Sequence, residues 1–98
     1  MMEFGKEVDL HHFHPRDTKA VVEEFLRQAV EKGYVRVRIV HGKGRSQKKS
    51  QVYAILQGHR QVKAYHDEGA NWGATVVFLN SSGEDRDFSG EQEYTTKQ

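Results

Sequence analysis

The chain has no cysteine among its 98 residues. That absence excludes disulfide frameworks, Cys-ligated zinc, iron–sulfur clusters and thiol nucleophiles, and it leaves the redox compartment open. Proline occurs once, so the chain is not a Pro-rich linker. No apolar run approaches the ~20 residues that span a bilayer, and no signal-peptide core follows Met1. The expectation is a cytoplasmic protein with no membrane partner. At this length the chain holds one domain at most, with one modest core.

The most informative absence is of acids. Residues 32–66 contain none, against nine bases: Lys32, Arg36, Arg38, Lys43, Arg45, Lys48, Lys49, Arg60 and Lys63. The acids lie on either side, seven in residues 1–31 and seven in residues 67–98, which is why the formal net charge is only +1. Charge asymmetry of this kind is a cue to nucleic acid or another anion. The competing reading is that the acids fold back as ordinary surface ion pairs, which are common and weak.

The hydrophobic pattern divides the chain into elements. Glu7 to His11 alternates polar and apolar, the period of a short half-buried strand, with Asp9 and His11 on one face and Leu10 on the other. Pro15 suits the first position of a helix, with His14 before it as an unusual N-cap. Val21, Val22, Phe25, Leu26, Ala29 and Val30 continue the helix as one apolar stripe, and Gly33 stops it. Tyr34–Val40 is a strand with Val35, Val37 and Ile39 on one side and Arg36 and Arg38 on the other. A second helix runs from Ser46 to Gln57, and Val62–His66 is a third strand. Asp67 to Gly73 is a loop whose Trp72 either covers the core edge or stacks on a base. Thr75–Leu79 is a near-continuous apolar run, hence a strand covered on both faces.

The expected fold is therefore α/β, a two-layer sandwich with a mixed four-stranded sheet in the order βαβαββ. The helix-linked strands run parallel and the last two antiparallel. Residues 1–5 read as a leader, 6–80 as the domain, and 81–98 as an acidic disordered tail.

Two segments carry chemistry. Val40-His41-Gly42-Lys43-Gly44 runs from a strand end through two glycines toward a helix N-terminus, a way of presenting backbone N–H groups to phosphate. Arg45, Lys48 and Lys49 follow where cations oppose the helix dipole, a cost of up to roughly 1 kcal/mol each that a bound anion would offset. The alternative is a plain turn whose basic side chains are solvated. The Walker spacing is absent, so no nucleotide cofactor or nucleotide hydrolysis is expected. In the other segment, Asp9 beside His11 is an orienter with a general base, or a metal-binding pair. His12 and His14 read as merely exposed. If the first two strands are neighbours, Asp9, His11, His41 and Lys43 converge on one rim, where open α/β sheets bind ligands.

These segments, Val8-Asp9-Leu10-His11, His41-Gly42-Lys43-Gly44 and Gly73-Ala74-Thr75-Val76-Val77-Phe78-Leu79, resemble in order and spacing the motifs of the Smr (small MutS-related) domain. The resemblance covers residues 6–80. It implies a fold similar to the C-terminal domain of translation initiation factor 3. It implies endonuclease activity, either DNA nicking or RNA cleavage, by hydrolysis or transesterification. Some members need a divalent cation, Mg²⁺ or Mn²⁺, and others do not. The family residues linked to cleavage fall on Asp9, His11 and His41. Those linked to nucleic-acid binding fall on Gly42, Lys43 and Gly44. His12 stands where the first motif has glycine and Val8 where it has leucine. The runner-up reading is a module that binds DNA or RNA without cutting it, and a third is a protein-interaction domain.

Overall fold

The computed structural model describes residues 2–43, 47–69 and 71–80, with the backbone alone at Asn71 and Trp72. The expectations for Gly44, Arg45, Ser46, the Trp72 side chain and the 81–98 tail lie outside the described residues. The elements in chain order are β1 (Glu7–Asp9), two 3-10 turns (Leu10–His12 and Pro15–Asp17), α1 (Thr18–Glu31), β2 (Arg36–Val40), α2 (Gln47–Gly58), β3 (Val62–Glu68) and β4 (Asn71–Leu79). The sheet order is β1-β2-β4-β3. β1 pairs parallel with β2, with Asp9 beside Val40, and β4 runs antiparallel to both of its neighbours. The last strand is thus inserted between the second and the third.

Both helices lie on one sheet face. Val8, Val37, Ile39, Val77 and Leu79 pack from the sheet against Val22, Phe25 and Leu26 of α1 and Val52 and Leu56 of α2. Removing these side chains from water is the main stabilising term, at about 1.5–3 kcal/mol for each fully buried one.

Three expectations need correction. β1 ends at Asp9 rather than His11, because the chain turns into a 3-10 helix at Leu10. Residues 2–5 are not a loose leader. Phe4 is buried edge-on against Phe25, its N–H donates to Gln28 Oε1 at 2.8 Å, and Lys32 Nζ donates to its carbonyl at 2.6 Å. Val35 precedes β2 and is exposed, so it does not extend the buried row of Val37 and Ile39. His14 does act as a cap: its Nδ1 accepts the Arg16 N–H at 3.1 Å and starts the turn that leads into α1.

Candidate active site

The site begins where β1 stops. Asp9 caps the 3-10 turn. Its Oδ1 accepts the His11 N–H at 2.9 Å and meets His11 Nδ1 at 2.8 Å. A carboxylate only accepts, so Nδ1 carries a proton, and in the neutral ring the lone pair is on Nε2. The His11 backbone N–H, ahead of its ring, holds the Asp9 carboxyl below its usual range. Leu10 between them is fully buried and anchors the turn in the core. Lys48 of α2 fastens it from outside, donating to the Leu10 carbonyl at 2.8 Å. Asp9 and His11 therefore meet through a local turn rather than through strand alternation. No described non-glycine residue has positive φ, so His12 occupies the position of the motif glycine without left-handed strain.

β2 delivers the second half. His41 is 2% exposed. Its Nδ1 donates to the Gly42 carbonyl at 3.1 Å, and its Nε2 lies 2.8 Å from Thr75 Oγ1. Burial pushes its pKa down and favours the neutral ring, in which Nε2 accepts the Thr75 hydroxyl. Thr75 in turn borders Tyr53, whose hydroxyl donates to Asp67 Oδ1, while Lys49 Nζ reaches Asp67 Oδ2 at 3.1 Å. The hydrogen bond from Tyr53 and the cation of Lys49 hold the Asp67 carboxyl below its usual range.

The loop that joins the halves depends on two glycines. Gly42 has φ 102°, and a Cβ there would lie 3.3 Å from His11 Nε2. The Gly73 carbonyl accepts both the His41 and the Gly42 N–H, at 2.8 and 2.9 Å. A Cβ on Gly73 would meet the Gly42 and Lys43 backbone at 3.1–3.2 Å. The Gly42 amide is thus taken up inside the protein, and the loop's offering to an anion begins at Lys43, which is exposed.

Asp9, His11, His41, Gly42 and Lys43 do converge on one rim. Lys48 and Lys49 do not form an open phosphate track, since one holds Leu10 and the other Asp67. The sequence reading gave no role to Thr75, Tyr53 or Asp67. Asp67 did leave a signal, as the first acid after 35 acid-free residues. The described residues also do not fit a resident divalent cation. No three His, Asp or Glu side chains among them gather around a point, and Asp9 Oδ1 is already engaged by His11.

The chain is similar to known proteins in both sequence and fold. The sequence matches the Smr domain over residues 8–80. It is 38% identical over 75 residues to Endonuclease MutS2 of a Geobacillus species, covering 76% of this chain, and 36% identical over 77 residues to Endonuclease MutS2 of Enterococcus faecalis, covering 74%. In each case the match spans only 10% of the relative's own length. The fold matches the Smr domain of Thermus thermophilus MutS2 with a TM-score of 0.71 and 28% identity, over 78% of this chain and 99% of that one. It matches YdaL, a stand-alone small MutS-related protein from Escherichia coli, with the same TM-score and 27% identity, over 78% of this chain and 65% of that one. With the three motifs on one rim and the match running from the middle of β1 to just past the end of β4, the chain belongs to the Smr domain family.

Proposed function

We propose that this Smr domain is a nucleic-acid endonuclease that cuts a phosphodiester at the Asp9–His11 pair. One observation carries the reading: Asp9 binds His11 Nδ1 at 2.8 Å and leaves Nε2 beside the Gly42–Lys43 loop. That is an oriented base next to a place for a phosphate. His11 Nε2 takes the proton of the attacking hydroxyl, from water in hydrolysis or from a ribose 2′-OH in transesterification; as the new P–O bond forms the ester P–O bond opposite it breaks, and the leaving alkoxide takes a proton from water. Asp9 sets the tautomer and stabilises the imidazolium that forms. Lys43 neutralises charge that builds on the phosphoryl oxygens. His41, with both ring nitrogens bonded, serves as a positioning residue that shapes the loop.

The test is conversion of supercoiled plasmid and of structured RNA to cut product, with and without Mg²⁺ or Mn²⁺. Loss of cutting in both Asp9→Ala and His11→Ala, with binding retained, supports the assignment. Full activity in both variants overturns it. Salt-dependent binding with no cutting under any cation would instead identify a binding module.

A further inference from the structure

The sheet face opposite the helices has an unusual composition. On a solvated face, outward residues of a central strand are ordinarily polar. Here the outward residues of β4 are Ala74, Val76 and Phe78, and no helix covers them among the described residues. Register and contacts identify the face. Arg38 pairs with Glu7 on β1 at 3.1 Å and reaches across β4 to Glu68 on β3 at 2.6 Å. That clasp lies on the same side as buried Val76 and sets one guanidinium between its two carboxylates, which leaves a net charge of −1. Beside it, His66 stacks on half-buried Phe78, with ring centroids 5.7 Å apart and planes tilted by 34°.

His66 is exposed, yet it is held. Its Nδ1 donates to the Asp67 carbonyl at 2.8 Å, so the ring has one orientation and one tautomer. An exposed ring fixed in this way loses little freedom when a flat ligand settles on it. Exposed Arg36 pairs with Phe78 in the sheet register, so its side chain leaves the sheet on the same face as the two rings. The face is also continuous with the candidate site. Val8 is buried toward the helices, so Asp9 points to this side, at the end of the neighbouring strand. From Val40, beside Asp9, to Arg36, beside Phe78, is about 13 Å at the rise of a strand.

We infer that the exposed corner of the helix-free sheet face, at His66 on half-buried Phe78 with Arg36 in register beside them, is a stacking platform for unpaired bases of a single-stranded segment that leads to the Asp9–His11 pair. The inference rests on the nuclease reading and narrows its substrate to nucleic acid that is single-stranded next to the cut. A paired duplex buries its base faces and offers nothing to stack. The rings supply contacts that tolerate any base, and Arg38 lowers the repulsion that the two carboxylates beside them would impose if bare.

The full chain carrying Asp9→Asn, to prevent cutting, is titrated into fluorescently labelled single-stranded RNA, single-stranded DNA and blunt duplex at one salt concentration. Adding His66→Ala is expected to weaken single-strand binding about five- to a hundredfold, the range for one lost base stack, with duplex binding within about twofold. His66→Phe is expected to keep the parent's affinity. Unfolding curves check that the exposed substitution leaves the fold intact. Unchanged single-strand affinity in His66→Ala overturns the platform, as does an equal loss on single strands and duplex. A wild-type chain that binds and cuts only duplex overturns the platform while the nuclease reading stands. A chain that neither binds nor cuts any of the three removes both.

Discussion

At the end of β1 the His11 side chain is 60% exposed, with one ring nitrogen on Asp9 and the other open. At the end of β2, His41 is 2% exposed with both ring nitrogens bonded. The two residues border the same glycine, yet their environments are opposite, and the sheet order explains why. β1 is an edge strand, so the chain beyond it turns into solvent. β2 lies between β1 and β4, so the chain beyond it is enclosed by Gly73 and Thr75. A base needs a lone pair that substrate can reach, whereas a residue that shapes a loop needs every polar atom satisfied. His11 meets the first requirement and His41 the second.

The sharpest way to break this comparison is to remove each ring in turn. His11→Ala should lower the cleavage rate about 10²–10⁴-fold, the usual contribution of a positioned base, with little change in unfolding temperature. His41→Ala should instead lower stability and activity together. A His41→Ala protein that is inactive but as stable as wild type would show that the buried ring takes part in the chemistry directly.

Next in size is Gly73→Ala. Its Cβ would press on Gly42 and Lys43 backbone that cannot yield, so overpacking should cost about 1–3 kcal/mol in denaturant unfolding. Smaller, at about 1–2 kcal/mol, is Thr75→Val, which leaves the buried Nε2 of His41 without its donor. A wild-type-like midpoint in that variant would mean that the His41–Thr75 bond is not what holds the ring.

The smallest effect is a slope with pH. Burial sets His41 lower in the folded chain than its ordinary 6.5, so the unfolded chain binds the proton more readily. Stability should therefore fall as pH drops below about 6.5, and stop falling from this source once the folded pKa is passed. The carboxylates of Asp9 and Asp67 are depressed instead, and their contribution is lost only in the more acid range below the ordinary carboxylate value. Unfolding midpoints measured from pH 7 to 5 should show the slope in wild type and a weaker one in His41→Gln. An equal slope in both would assign it elsewhere.

Local patterns made much of this legible. Alternation and helical stripes placed the four strands and the two α-helices but not the 3-10 turns, and the expected 67–73 loop is entered from both sides, by β3 up to Glu68 and by β4 from Asn71. What was missed depended on contacts that no local pattern encodes. Asp9 and His11 were expected to meet by strand period, but Asp9 prefers to cap its own turn and ends the strand early. Lys48 and Lys49 read from the sequence as cations beside the loop, and only the docked α2 shows that they also hold the Leu10 carbonyl and Asp67. Phe4 sits in a polar stretch with no periodicity, and only the packed α1 shows that it belongs to the core. The apolar run at Thr75–Leu79 was read as covered on both faces. One cover proves to be helices and the other an arginine between two glutamates.

The doubly used carbonyl of Gly73 also has a temporal side. β4 is the last strand among the described residues, yet it fills the middle of the sheet and holds the His41–Gly42 amides. A nascent chain that has released β1, β2 and both helices still has nothing to fold that loop against. The rim is complete only with the strand ending at Leu79 in place between β2 and β3. A ribosome that stalls before that point carries a chain with all five rim residues and no working arrangement of them.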